Sequence, residues 1–252
     1  MATYDSYVIC TSPRSGSTLL CKLLAATGVS GNPDSHFHRP SLAHWLSDLG
    51  VTPEPGLSER ERVKLAFDAA IAEGSRGGMF GLRLQRHSFA FFSEQLALLH
   101  PGLASDVARF EAAFGRTLFL HLTRQDKVEE AVSLVKAQQS GLWHKAPDGT
   151  EIERLAPPKE LVYDAAAIRA AYDEVTAYED EWRQWFAAAG VAPPRITYQE
   201  LAADPLETLR VVLDRLGLGR AAAAGVEVGV AKLADDTNRD WVARFRAEQQ
   251  PT

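Results

Sequence analysis

Short apolar runs alternate along the chain with stretches whose apolar positions follow a helical period. The runs have the length and composition of buried strands, and they lie at residues 7–10, 79–84, 117–122 and 195–198. Helical patterns fill the intervals, at residues 18–26, 42–49, 58–72, 89–99, 104–114, 127–138, 165–189 and 204–216. Ser58 followed by Glu61 is a capping signature for the third of these helices. Strands separated by helices predict an α/β fold with a mainly parallel central sheet flanked by helices.

The remaining segments are rich in turn-forming residues. Residues 31–41 read as a loop, and residues 141–158, with three prolines and two glycines, are the best candidate for a mobile loop or lid. The tail at residues 231–248 has room for a short helix. No internal repeat or linker interrupts the chain, so we expect a single domain over residues 1–252.

Composition and charge narrow the classes of function. The net charge of −6 argues against a nucleic-acid-binding protein, which usually has a basic face. The chain has two cysteines, Cys10 and Cys21, and both lie in apolar runs. Two cysteines do not make a disulfide framework, and no Cys/His spacing resembles a zinc site, so we expect no metal. The N-terminus lacks a basic, apolar leader, and no apolar run is long enough to span a membrane. These features predict a cytoplasmic protein.

The first predicted strand is followed by a loop of small and polar residues that leads directly into a helix. This phosphate loop, residues 11–18, contains Arg14, Ser15, Gly16, Ser17 and Thr18. A strand–loop–helix turn directs backbone N–H groups and the positive end of the helix dipole at one point, and arginine adds a charged fork. The loop is therefore predicted to bind an anion. The loop lacks the second glycine and the lysine of a Walker A loop, and this argues against a binding site for a Mg²⁺-nucleotide.

The residues of this loop resemble a motif of a known protein family. The run from Pro13 to Leu20 resembles the 5′-phosphosulfate loop of sulfotransferases that use PAPS (3′-phosphoadenosine 5′-phosphosulfate). Further stretches make the chain similar to the Stf0 (trehalose 2-sulfotransferase-like) family, namely residues 122–127 and 131–134, then Gln139, Trp143, Ala234, Asp235, Asn238, Trp241 and Arg244. The resemblance implies a P-loop-type three-layer fold, PAPS as co-substrate without a metal, a carbohydrate or glycolipid acceptor, and a homodimer. It also implies that Arg124 and Ser133 hold the 3′-phosphate of PAPS, while Arg14 takes part in catalysis.

The general base is where the sequence departs from the family. The resemblance implies a carboxylate in the loop after the first helix, and that position is occupied by Ser35. Serine cannot act as a base at neutral pH, so we favour His36, with Asp34 and His38 as alternatives. The substitution also puts trehalose itself in doubt as the acceptor.

Other polar residues are candidates for the acceptor cleft. Arg83 and Arg86 follow the second predicted strand, and Gln139 and Trp143 follow the helix at 127–138. Residues of the tail, Lys232, Asn238 and Arg244, are candidates to close over the nucleotide. No role is assigned to His44, His87, His100, His121 or His144, which are more often structural or solvated.

Two other functions stay open on the sequence. One is a P-loop kinase or nucleotidase. The other is a non-catalytic relative that binds PAPS or a glycan, which the loss of the family carboxylate at Ser35 favours.

Overall fold

The computed structural model of the chain describes residues 3–146, 148–229 and 235–249. The strands of these residues form a central sheet and a separate hairpin. The sheet contains β1 (Ser6–Thr11), β2 (Ser75–Arg76), β3 (Met79–Gln85), β4 (Thr117–Thr123) and β7 (Arg195–Thr197), and the hairpin is β5 (Leu142–Lys145) with β6 (Glu151–Arg154).

Helices connect the strands of the sheet. Within the described residues they are α1 (Ser17–Ala26), α2 (Leu42–Asp48), α3 (Glu59–Gly74), α4 (Arg86–Leu99), α5 (Asp106–Phe114), α6 (Lys127–Ser140), α7 (Ala165–Ala189), α8 (Tyr198–Ala203), α9 (Pro205–Arg215) and α10 (Asp236–Glu248), with a short 3₁₀ helix at Arg220–Ala223. The Ser58–Glu61 capping box that the sequence predicts is present at the start of α3. Among the described helices, none is both long enough and apolar enough to cross a membrane.

The sheet has the order β2–β3–β1–β4–β7, and only β2 runs antiparallel to its neighbour. The most central strand, β1, is paired in register with β3 and β4, so that Thr11 lies beside Gln85 and Cys10 beside His121. The carboxyl ends of these three strands therefore meet at one edge of the sheet, where parallel α/β sheets bind their ligands.

Helices cover both faces of the sheet. Along β1, Val8 and Cys10 pack into an aromatic cluster with residues of α2 to α5. The alternate residues Tyr7 and Ile9 pack into a second cluster with α1 and α9. Because successive side chains of a strand point to opposite faces, this division makes a three-layer α/β fold and confirms the predicted class.

Some predicted elements differ from the structure. The proposed mobile loop at 141–158 contains the β5–β6 hairpin, which the turn-rich composition obscured. The fourth strand ends at Thr197, because a capping box between Thr197 and Glu200 starts α8 at once. The helix in the tail is present as α10, capped by Asp235.

Candidate active site

A cleft with a volume of about 740 Å³ opens at the carboxyl ends of β1, β3 and β4. It extends from the phosphate loop to α6, α7 and the β5–β6 hairpin. Its walls include many of the residues predicted from the sequence, namely Arg14, Gly16, Ser17, Thr18, Asp34, Ser35, His38, Arg83, Arg124, Ser133 and Trp143. The topology thus brings together residues that are more than one hundred positions apart in the chain.

The phosphate loop has the backbone geometry of an anion site. Gly16 caps α1 in a left-handed conformation with φ of 89°, and no side chain caps the first turn of the helix. A Cβ atom at Gly16 would lie 2.7 Å from Cδ2 of Tyr198, so only glycine fits. The first N–H groups of α1 therefore face the cleft without a side-chain cap. Ser15 departs from its predicted role, because its buried hydroxyl lies within the loop and donates to the Ser12 carbonyl oxygen at 2.9 Å.

Arg14 links the phosphate loop to α6. It is the one non-glycine residue in the described parts of the chain with positive φ, 64°, and such strain is typical of functional sites. Its Nε donates to Ser133 Oγ at 3.0 Å, and its Nη1 donates to the Trp143 carbonyl oxygen at 2.7 Å. Burial and the nearby Arg124 lower the pKa of the guanidinium to about 10. The two anion-binding groups predicted separately are therefore parts of one site.

Arg124 is held in a buried position at the end of β4. Only 5% of the residue is exposed, and its guanidinium carbon lies 4.4 Å from the centre of the Tyr198 ring. One end of the fork donates to Glu129 at 2.7 Å, whereas Nε is buried and has no partner among the described residues. A buried, unpaired donor of this kind is costly unless a ligand accepts from it. Arg124 and the neighbouring Ser133 thus fit a phosphate.

A buried polar network supports the phosphate loop from behind. Glu130 on α6 is fully buried, accepts from Ser12 Oγ at 2.5 Å and from Lys127 Nζ at 2.8 Å. Burial raises the pKa of the Glu130 carboxyl. Lys127 also lies 3.4 Å from Glu179 of α7, which accepts a hydrogen bond from Thr123. This network ties the loop, β4, α6 and α7 together, and the sequence analysis did not identify it.

Arg83 organises the opposite end of the cleft. Its Nε donates to Ser35 Oγ at 2.6 Å, its Nη1 to Thr18 Oγ1 at 2.7 Å, and its Nη2 to Asp34 Oδ1 at 3.0 Å. The residues Asp34, Ser35, His38 and His87 line the cleft around Arg83. Ser35, at the position where the resemblance implies a carboxylate, therefore accepts a hydrogen bond from a cation.

Two predicted residues point away from the cleft and correct the sequence analysis. His36 is buried outside the lining, with Nδ1 3.8 Å from Glu73 and Nε2 without a partner among the described residues. Burial lowers the pKa of its imidazole. Gln139 exchanges two hydrogen bonds with the backbone of Val162, each 2.9 Å long, and its neighbour Gln138 lines the cleft instead.

Further candidates for the cleft also lie elsewhere. Arg86 is 3.1 Å from Glu181 and its guanidinium packs over Phe89. Asn238 completes the capping box of α10 with Asp235 and accepts from Lys136 Nζ at 2.9 Å. Arg244 lies over the Tyr163 ring, at 3.8 Å from its centre, so neither tail residue lines the cleft. Lys232 lies outside the described residues.

Several residues that the sequence analysis left without a role line the cleft. His87 lies edge-on to His38, with ring centres 4.7 Å apart. Tyr178 of α7 donates to Glu174 at 2.7 Å, and both face the same space. His144 enters from the hairpin, with Nε2 2.9 Å from Thr18 Oγ1. No local pattern marks these residues, because they reach the cleft only through the packing of α4, α7 and the hairpin.

Comparison with known proteins identifies the family. The sequence profile described as Stf0 sulphotransferase matches residues 6–248. The chain belongs to the Stf0 sulfotransferase family. That match includes the phosphate loop, Arg124, Ser133 and the β5–β6 hairpin, so the cleft described above lies wholly within the matched residues.

Two relatives agree with this assignment. The chain is 28% identical to trehalose 2-sulfotransferase from Mycobacterium tuberculosis, covering 96% of this chain and 94% of the relative. It is 27% identical to trehalose 2-sulfotransferase from Mycolicibacterium smegmatis, covering 97% and 96%. A sulfotransferase from Alicyclobacillus acidocaldarius aligns over 96% of this chain and 91% of its own, with 15% identity and a TM-score of 0.47.

Within residues 3–146, 148–229 and 235–249, no three His, Cys, Asp or Glu side chains converge to hold a metal ion. The positive charge of the cleft comes instead from arginines, and Arg14, Arg83 and Arg124 all line it.

Proposed function

We propose that this sulfotransferase moves a sulfuryl group from PAPS to a hydroxyl of a carbohydrate or glycolipid. The observation that carries the proposal is the hydrogen bond between Arg14 and Ser133, which joins the phosphate loop to the Arg124 site. A nucleotide with anionic groups at both its 5′ and 3′ positions matches two cationic sites in one cleft. A nucleotide with a single phosphate chain leaves one of them unused.

The 5′ end of the nucleotide is assigned to the phosphate loop. The uncapped N–H groups of α1 and the guanidinium of Arg14 suit a phosphosulfate, which carries its charge on several oxygens. During transfer, negative charge grows on the departing phosphate. Arg14 is preorganised to stabilise that charge, because two hydrogen bonds already fix its guanidinium in the cleft.

The 3′-phosphate is assigned to Arg124 and Ser133. Nε of Arg124 is a buried donor that a phosphate oxygen would satisfy, and the Ser133 hydroxyl adds a second donor. Burial and the repulsion by Arg124 lower the pKa of Arg14, and this repulsion is relieved when an anion binds between the two arginines. The two arginines therefore favour binding of the phosphate, and the bound phosphate neutralises their charge.

The acceptor is assigned to the end of the cleft around Arg83. Sugar hydroxyls need both hydrogen-bond donors and acceptors. This part of the cleft offers both, in the Asp34 carboxylate, the Tyr178 hydroxyl and the imidazole groups of His38 and His87. The relatives named above are trehalose 2-sulfotransferases, which makes trehalose the first acceptor to test. Ser35 replaces the family carboxylate, so other sugars belong in the same panel.

Nucleotide selectivity tests the donor. Thermal unfolding is measured with the product nucleotide 3′-phosphoadenosine 5′-phosphate (PAP) and, separately, with ATP and Mg²⁺. A ligand at about 100 times its Kd stabilises the folded state by about 2.7 kcal/mol, a shift of several degrees for a chain of this size. We expect PAP to stabilise the protein and ATP with Mg²⁺ not to do so.

Arg14→Ala should remove most of the stabilisation by PAP. Arg220→Ala is the matched control, since Arg220 is an exposed arginine that pairs with Glu207 at 2.7 Å and does not line the cleft. Stabilisation by ATP with Mg²⁺ and none by PAP would reject the PAPS assignment and favour the kinase or nucleotidase alternative.

A further inference from the structure

The β5–β6 hairpin places the imidazole of His144 beside Thr18, the last residue of the phosphate loop. Nε2 of His144 lies 2.9 Å from Oγ1 of Thr18, which belongs to the first turn of α1. Glu153 is the cross-strand partner of His144, and its Oε2 lies 3.4 Å from the same nitrogen. The three side chains all line the cleft.

Thr18 has two hydrogen-bond partners, Arg83 and His144. Arg83 Nη1 donates to Thr18 Oγ1 at 2.7 Å, and a guanidinium has no acceptor to offer in return. Among the described residues, the Thr18 hydroxyl has no other side-chain or backbone partner than Arg83 and His144. In the neutral tautomer with the ring proton on Nδ1, Nε2 accepts the proton of the Thr18 hydroxyl, and this is the tautomer that can act as a base.

The charges around the imidazole agree with a neutral ring. Burial, together with the cations Arg14, Arg83 and Lys22, lowers the pKa of His144 to about 3, and Asp34 opposes this shift. Glu153 faces the ring from the neighbouring strand. An anionic nucleotide on Arg14 offsets the largest cationic contribution, so the imidazole becomes a stronger base when the donor is bound.

We infer that His144 is the general base of the sulfuryl transfer and that Glu153 stabilises the imidazolium that forms, an inference that rests on the proposed function. The acceptor hydroxyl takes the place of Thr18 as the donor to Nε2. Its proton moves to Nε2 while its oxygen forms a bond to sulfur. The bond from sulfur to the 5′-phosphate oxygen breaks, and its electron pair stays on that oxygen beside Arg14. The imidazolium returns its proton to solvent after the products leave.

The other candidates for the base are less suitably placed. Oδ1 of Asp34 already accepts from Arg83 at 3.0 Å and from the Ser35 backbone at 2.7 Å. His36 does not line the cleft. His38 is exposed at the rim and packs against His87, and no hydrogen bond ties its ring to the phosphate loop. His144 is the cleft histidine whose ring nitrogen contacts the loop assigned to the reacting group.

The test uses the full chain with PAPS and trehalose or whichever sugar of the panel the wild type sulfates. General bases typically contribute about 10²–10⁴ in rate, so His144→Gln should lower kcat by at least about 100-fold. The Kd of PAP and the melting temperature should stay close to the wild type. Glu153→Gln should cause a smaller loss. His44→Gln is the matched control, because His44 is exposed on α2, away from the cleft.

Two readouts separate a base from a structural residue. The fall of kcat at low pH, where the base is protonated, should disappear in His144→Gln. Added imidazole should restore part of the activity of His144→Ala.

Several results would overturn the assignment. Full kcat in His144→Gln would contradict it, and so would a loss of PAP binding and stability together with activity. Loss of the low-pH limb in Asp34→Asn instead of in His144→Gln would make Asp34 the base. A wild type that transfers nothing from PAPS to any sugar would reject the proposed function itself, and the base assignment with it.

Discussion

Replacing Arg124 by alanine tests the assignment of the 3′-phosphate most sharply. The side chain is almost fully buried at the end of β4, and it lies between Glu129 and the ring of Tyr198. Its Nε is a donor without a partner among the described residues. The variant therefore removes a preformed cationic fork, while the phosphate loop and Arg14 remain.

The size of the effect follows from these contacts. A hydrogen bond to a charged group contributes about 1.5–3 kcal/mol, which corresponds to a loss of about 10- to 150-fold in affinity for PAP. The fold itself should suffer little. Removing Arg124 breaks its pair with Glu129, whose side chain is 45% exposed, but it also removes a repulsion that adds to the effect of burial in lowering the pKa of Arg14.

Titration calorimetry with two nucleotides measures the effect. Arg124→Ala should lose affinity for PAP but keep the affinity of the wild type for adenosine 5′-phosphosulfate, which lacks the 3′-phosphate. Ser133→Ala should weaken PAP binding less, and the double variant should show non-additivity because both groups contact one phosphate. An equal loss of affinity for both nucleotides would refute the assignment of Arg124 to the 3′ end.

Three further predictions follow from the geometry of the cleft. Gly16→Ala should destabilise the fold by about 1–3 kcal/mol in thermal unfolding, because it adds left-handed strain and a Cβ atom 2.7 Å from Tyr198; an unchanged melting temperature would contradict the loop geometry. The Cβ atom of Gly141→Ala would collide with the Ala156 carbonyl oxygen, so this variant should displace the hairpin. We expect kcat to fall by a larger factor than the affinity for PAP, and equal falls in the two would contradict this. In NMR titrations, PAP should raise the pKa of His144 from its value of about 3, since an anion favours the protonated ring; no change would place the nucleotide away from it.

Features that depend on neighbouring residues were predictable from the sequence. The β1–loop–α1 unit is recognisable because a strand, a loop of small residues and a helix follow one another directly. The Ser58–Glu61 capping box and the Asp204–Pro205 start of α9 are local for the same reason. The parallel order of the sheet then brings the ends of β1, β3 and β4 together without further information.

Side-chain direction in irregular segments was not predictable in the same way. His36 and His38 are two positions apart in one loop, yet only His38 lines the cleft, because His36 turns towards Glu73 on α3. Gln139 and Gln138 differ in the same manner on α6. His144 reaches the phosphate loop only because residues 142–154 pair as a hairpin, and no periodic pattern in that turn-rich segment indicates the pairing.

The Stf0 resemblance and the α/β fold class are confirmed by the family match and by the sheet topology. The single domain over residues 1–252, the homodimer and the cytoplasmic location stay predictions. Sedimentation velocity of the full chain tests the dimer directly, and a monomer at micromolar concentration would contradict it.

Transfer of labelled sulfur from PAPS to a sugar tests the central claim most directly. The protein is incubated with PAPS that carries radioactive sulfur and with a panel of sugars that includes trehalose. The account predicts that label appears on a sugar, that PAP is released in equal amount, and that Arg14→Ala abolishes both. Label that stays on the nucleotide with every sugar, while the terminal phosphate of ATP is transferred under the same conditions, would contradict it.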